Sequence, residues 1–224
     1  MFFPEKILNI NPEDKVLEIG PGSTPHPRSN VFLEKMYETS EELIQQSGTN
    51  NLLKTDKKVI YYDGNKFPFE DNSFDYVICS HVLEHVEDVD FFIKEITRVA
   101  KKGYIEYPTI YYDYLYNFNP HISLLMRKSN IIYWMPKSQS GLNNFKKINK
   151  LFYESLVKGY SEIVNDLKEY MFQGFEWSNE ILSKKTNAID DLVFDSKEIN
   201  LCFKTLNNSQ KKSYLNKIIG FLKN

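Results

Sequence analysis

The sequence predicts an open α/β sheet with parallel strands over its first hundred residues, and two observations carry that reading. Short β-rich runs end at the kind of residue that closes a strand, and none shows the strict alternation of a half-exposed strand, so each suits burial on both faces. An amphipathic helical pattern separates two of these runs, which makes a strand–helix–strand crossover. The 224 residues, 42% hydrophobic and 15% aromatic, can bury a core without metals or disulfides.

Taken in order, Lys15–Ile19 (KVLEI) ends at Gly20-Pro21-Gly22, and residues 59–62 (VIYY) end at Asp63-Gly64. Residues 74–79 (FDYVIC) end at Ser80-His81, and residues 103–107 (GYIEY) at Pro108. Val82, Val86, Val89, Phe92, Ile93, Ile96 and Val99 recur at helical spacing, and Lys101-Lys102-Gly103 closes that helix with cations and a glycine. In the second half, residues 109–119 read as aromatic and irregular. Residues 122–136 read as a hairpin around Arg127-Lys128-Ser129-Asn130, and residues 144–172 as helical. Residues 174–206 read as two strands, FEWSNEIL and EINLCFKTL. The expected division is 1–108, a cofactor-binding half, and 109–224, an acceptor-side extension of the same domain.

The second strand is less regular. Two prolines, Pro25 and Pro27, follow the glycine turn and leave no room for a full crossover helix before Val31. Two readings stand: Val31-Phe32-Leu33 is the second strand, reached by an irregular loop and ending at Glu34, or residues 30–46 form the first helix. The first is preferred, because an acid directly follows the apolar triplet.

A formal net charge of -2 offers no electrostatic footprint for nucleic acid. Cys79 and Cys202 lie far apart in apolar runs without a CxxC pair, which argues against a thiolate zinc site or a disulfide framework. The opening MFFPEKILNINPEDK does not read as a signal peptide, and charges interrupt every apolar run before membrane-spanning length. The expectation is a cytoplasmic chain. The basic tail KKSYLNKIIGFLKN reads as a solvated terminal helix, or as a weak peripheral contact with an anionic membrane.

LEIGPG, then Asp63, Phe67-Pro68-Phe69, Asp71, Phe74-Asp75 and Leu83-Glu84-His85, resemble the class I S-adenosylmethionine-dependent methyltransferases, in their methyltransferase type 11-like branch. The likeness covers roughly residues 12–108. It implies a Rossmann-like class I methyltransferase sheet with helices on both faces, followed here by the C-terminal hairpin and helical extension. It implies S-adenosyl-L-methionine as cofactor and a small-molecule or glycan-like acceptor. By the resemblance, Glu18, Gly20, Pro21 and Gly22 hold the methionine part, Glu34 the ribose, and Asp63 with Gly64 the adenine. Ser80 and His81 then sit beside the sulfonium, with His81 as the catalytic candidate at the acceptor edge.

Rival readings accompany these. His81-Val-Leu-Glu84-His85 fits the H-x-x-E-H zinc pattern, or is an accident of the strand–loop–helix. The chain is an active transferase, or a binding protein that retains the cofactor fold. Tyr111, Tyr112, Tyr114, Tyr116 and Phe118 line an acceptor pocket, or pack as a lid. Asp71 and Asp75 read as turn and strand-start residues, and Cys79 as a core thiol.

Overall fold

The computed structural model describes residues 1–36 and 53–200. Six strands form the main sheet: β1 (Val16–Ile19), β2 (Val31–Lys35), β3 (Lys58–Tyr62), β4 (Tyr76–Ser80), β5 (Lys102–Pro108) and β8 (Phe172–Ser178). Their order is β3-β2-β1-β4-β5-β8. The first five run parallel, and β8 pairs antiparallel with β5. The runs of β1, β4 and β5 behave as expected of strands covered on both faces, whereas β3, at the end of the sheet, is only partly covered and leaves Lys58 and Tyr61 exposed, against the expectation for residues 59–62. All four residues of β1 are buried, as are four of the five in β4. Order reverses between β2-β1 and β4, which opens the carboxyl edge at a topological switch point.

The short path to β2 is the irregular one. Residues 20–30 contain no helix, and Val31–Lys35 pairs with β1 and β3, so the strand reading of Val31-Phe32-Leu33 holds. The expected helix from Val82 begins later, at Val89, and runs to Val99. Asp88 caps it by accepting from the Phe91 N–H, and residues 83–85 form a separate 3-10 turn. This is the helix found between neighbouring parallel strands among the described residues.

A second sheet, β6-β7-β9, combines the expected hairpin of β6 (Ser123–Lys128) and β7 (Ile131–Pro136) with β9 (Leu182–Lys185), parallel to β7. Ser129 takes a left-handed φ of 56° in the two-residue turn. Leu125, Ile132 and Trp134 from this sheet share one core with Leu17, Leu33, Val77, Ile96 and Ile105.

Three expectations for the second half are corrected. Residues 110–116, expected to be irregular, form a helix that ends at Asn117 in the left-handed conformation. The long helix over 144–172 is broken into Lys146–Val157, Glu162–Asp166 and Lys168–Met171, because Gly159 takes a φ of 89° between the first two. The strand EINLCFKTL starts as helix: Asp195 accepts from the Glu198 N–H while Glu198 accepts from the Asp195 N–H, a reciprocal capping box. Its continuation, Cys202 and the basic tail lie outside the described residues. Met1–Leu192 forms one compact unit and the residues from Val193 a second. No helix among the described residues is long and apolar enough to cross a membrane.

Candidate functional site

The sheet order brings the strand ends into one row. From β3 to β5 the carboxyl edge presents Asp63, Glu34, the Gly20–Gly22 turn, Ser80 with His81, and Glu106. The turn is left-handed at both glycines, with φ of 60° at Gly20 and 58° at Gly22, and Pro21 is buried between them. The Gly20 N–H donates to Leu33 O at 2.9 Å, which ties the turn to β2. A Cβ at Gly20 would lie 2.6 Å from Val82 Cγ2, while one at Gly22 would meet no atom of the described residues within 4 Å. The turn is thus packed on one side and open on the other.

Glu18 is buried and already engaged. Its Oε2 accepts from Ser29 Oγ at 2.6 Å and from the His26 N–H at 2.9 Å, so it closes the 20–30 loop back onto β1. Burial pushes its carboxyl above the usual range against those two bonds. Glu34, next to last in β2, differs: its carboxylate accepts from the adjacent Lys35 N–H alone among the described residues, at 3.2 Å. Burial raises it as well. Two aligned donors such as ribose hydroxyls would satisfy that group.

Asp63 is exposed and turns back on Asn65, accepting from its backbone N–H and its amide, each at 2.9 Å. These bonds hold its carboxyl below the usual range. Gly64 follows with a φ of 92°, and a Cβ there would touch Lys35 Cε at 3.3 Å.

His81 is the most constrained residue of the row. Its backbone is left-handed, with a φ of 58°, uncommon for a side chain with a Cβ. Its Nε2 lies 2.9 Å from Glu106 Oε1 and its Nδ1 3.3 Å from Glu84 Oε1. Burial disfavours the imidazolium, but the two carboxylates outweigh it and raise His81 to about 9. Both acids resist the upward push of burial and are held at about 2, Glu84 chiefly by His81 and Glu106 by His81 and Tyr104.

Glu106 escapes sequence reasoning, although an acid inside the apolar run GYIEY is the signal that marks it. It is fully buried and gathers partners from three segments: Phe2 N–H at 2.6 Å, Phe3 N–H at 2.9 Å, Tyr104 Oη at 2.6 Å, Ser80 Oγ at 3.1 Å and His81. Phe2 thereby stacks on Phe172, with centroids 3.9 Å apart, and the two rings lie 5.3 and 5.7 Å from that of His81. Neither phenylalanine is legible as a site residue in the sequence. The tyrosine-rich segment packs against this wall: Tyr112 contacts Phe172 and Phe118, and Tyr116 is buried with Phe3 and Met171.

Asp71 binds Arg98 in a turn, and Asp75 receives the Lys15 N–H, as their bland readings imply. Cys79 is buried in the core and burial raises its thiol, which leaves it unreactive. The H-x-x-E-H set does not form as spaced. His81 turns to Glu106, while His85 Nδ1 lies 3.0 Å from Pro120 O, and Glu84 and His85 gather with His121 instead.

Residues 30–105 match the family described as "Methyltransferase domain". The chain is similar to the demethylmenaquinone methyltransferase of Bacillus pumilus, with 28% identity over 137 residues, 55% of this chain and 56% of that one. It is similar to the enzyme of that name from Geobacillus kaustophilus, with 29% identity over 154 residues, 63% of this chain and 62% of that one. The chain therefore spans about three-fifths of the length of the curated relatives it matches. Among solved structures, the YcgJ protein of Bacillus subtilis overlaps 45% of this chain and 47% of its own, at 23% identity and a TM-score of 0.33.

Proposed function

We propose that the chain, whose residues 30–105 match a methyltransferase-domain family, is an S-adenosylmethionine-dependent methyltransferase that transfers a methyl group to a small-molecule acceptor with a planar ring. The carrying observation is the row of strand ends running from Asp63 through Glu34 and the glycine turn to His81 and the Phe2–Phe172 wall.

The residues present fit the cofactor. Space beside Gly22 admits a backbone-hugging ligand, and the under-used Glu34 carboxylate suits a vicinal diol. In this reading Gly20, Pro21 and Gly22 hold the amino-acid end, and Glu34 holds the ribose. Asp63 and Gly64 hold the adenine. Glu18 acts through the loop it braces. When bound, S-adenosylmethionine supplies an activated sulfonium methyl group, so the chain's share of the work is placement.

Ser80 and His81 occupy the acceptor side. The His81 ring, fixed between two carboxylates, offers a polar rim beside an aromatic wall. A flat hydroxylated ring suits such a wall better than a sugar does, and the matched relatives are named for a quinone-type acceptor. A glycan-like acceptor is the competing case.

The test is calorimetric titration with S-adenosylmethionine and S-adenosylhomocysteine, followed by mass spectrometry of a paired acceptor screen. Micromolar binding is expected, weakened about 10–100-fold in Glu34→Gln, as loss of a charged hydrogen-bond acceptor implies. Hydroxylated planar rings should then gain one methyl group while nucleotide sugars do not. Absence of binding by either ligand overturns the reading. Binding without transfer to any acceptor assigns the chain to the non-catalytic class.

A further inference from the structure

We infer that Glu84, His85 and His121 form a site for one divalent first-row transition cation, of the kind that two imidazoles and a carboxylate bind. One ligand atom from each residue lies within 4.8 Å of the others. A tetrahedral ion with bonds of about 2.1 Å holds its ligands about 3.4 Å apart, so ligand atoms within 4.8 Å must close by at most about 1.4 Å to share one ion.

The hydrogen bonds around the cluster make both imidazoles ready to ligate. His85 Nδ1 faces Pro120 O at 3.0 Å, and a carbonyl only accepts, so that nitrogen carries the proton. His121 Nδ1 faces Asp113 Oδ1 at 2.7 Å in a buried pair, with the same result. The Nε2 lone pair of each ring is left for a cation. An imidazole oriented through its far nitrogen by a carbonyl or a carboxylate is the arrangement that metal-binding histidines adopt.

The carboxylate supplies the independent observation. Glu84 is fully buried, and neither of its oxygens has a hydrogen-bond partner among the described residues. The His81 ring already pairs with Oε1, its Nδ1 lying 3.3 Å away, so Oε2 is the oxygen left for a further cation. Asp113 Oδ2 is likewise buried without a partner. A buried carboxylate is costly unless a cation or donors meet it, and a metal ion beside two prepared imidazoles meets that need.

The chain positions the three residues from separate segments. Glu84 and His85 lie in the 3-10 turn after β4, and His121 precedes β6. The Ile122 N–H donates to Glu84 O at 2.8 Å, which joins the two segments. His121 also lines a cavity of about 440 Å³ with Asn117, Asn119, Ser123 and Lys137, which gives an ion a route from solvent. Lys137 does not compete, because its Nζ is committed to Phe118 O. Two histidines and a carboxylate with open positions favour zinc or its first-row neighbours over magnesium or calcium.

The test uses the full chain, stripped with a chelator, exchanged into metal-free buffer without any methyl donor, and titrated with Zn²⁺ by calorimetry. Elemental analysis fixes the stoichiometry. One zinc per chain is expected. His85→Ala and His121→Ala should each lose more than the ~10–100-fold typical of an orienting partner, which is the loss expected for Asp113→Asn. His26→Ala, outside the cluster, should bind as the parent does. Circular dichroism checks each variant. If His121→Ala fails to fold, His85→Ala and Asp113→Asn carry the test. No stoichiometric zinc in the parent overturns the inference. So does binding retained in both histidine variants, or lost equally in His26→Ala. None of these outcomes depends on whether methyl transfer is observed.

Discussion

At Gly20 two demands meet, a left-handed backbone and a wall 2.6 Å from where a Cβ would sit. At Gly22 only the first applies. The two positions should therefore respond differently. Gly22→Ala should cost about 1–2 kcal/mol, the backbone term alone. Gly20→Val adds overpacking against Val82 and should cost about 2–5 kcal/mol in total. Urea unfolding of the two variants separates them, and equal losses would mean that Val82 yields freely. At this scale the sequence marks the strand ends that carry the proposed site, at Gly20, Glu34, Asp63 and Ser80-His81. It does not show what those residues touch. Glu106 meets His81 only because β4 and β5 lie side by side, and Phe2 reaches Phe172 through the fold alone. His121 is a lone histidine in the sequence, and only the turn carrying Glu84 makes it part of a cluster.

Among the elements, the loop between β3 and β4 has no regular structure of its own, and the helix Val89–Val99 supplies its order. Arg98 donates to Phe67 O at 3.1 Å, to Phe69 O at 2.7 Å and to Asp71, while Glu95 binds Arg98 and accepts from the Phe67 N–H. Phe67 is thereby seated edge-on between Tyr62 and Phe92. Arg98→Ala removes the guanidinium from the Phe67 and Phe69 carbonyls and from the buried Glu95, which keeps only the Phe67 N–H, and should cost about 1–3 kcal/mol. Urea unfolding measures the loss, and faster amide exchange at Phe67 and Phe69 locates it. No change in either would mean that the aromatic contacts hold the loop unaided. The parallel strands and the hairpin were legible because their apolar runs are short and bounded by turn residues. Val82 and Val86 continue the helical period and so predict an earlier start than the observed one, whereas the local bond at Asp88 decides where the helix begins. The helix over residues 110–116 is not legible in the sequence because Tyr is a weak helix former, and burial of Ile110, Asp113 and Tyr116 overrides that preference.

The whole molecule is threaded so that neither sheet is completed by a continuous stretch of chain. After β7 the chain leaves the second sheet, crosses through three short helices, adds β8 to the far edge of the main sheet, and returns as β9 beside β7. The chain passes through the last strand of the larger sheet before it reaches the third strand of the smaller one. The pairing of β5 with β8 joins residues 102–108 to residues 172–178, whereas the β6–β7 hairpin joins neighbours across two residues. Ordering chain over such separations before any contact rewards it makes assembly slow, and local pairings come first. The threading thus imposes a timetable: the hairpin forms early, and β8 and β9 dock last. In refolding with pulsed hydrogen exchange, the amides of residues 123–136 should gain protection before those of residues 172–185. Simultaneous protection would mean that the two sheets collapse as one unit.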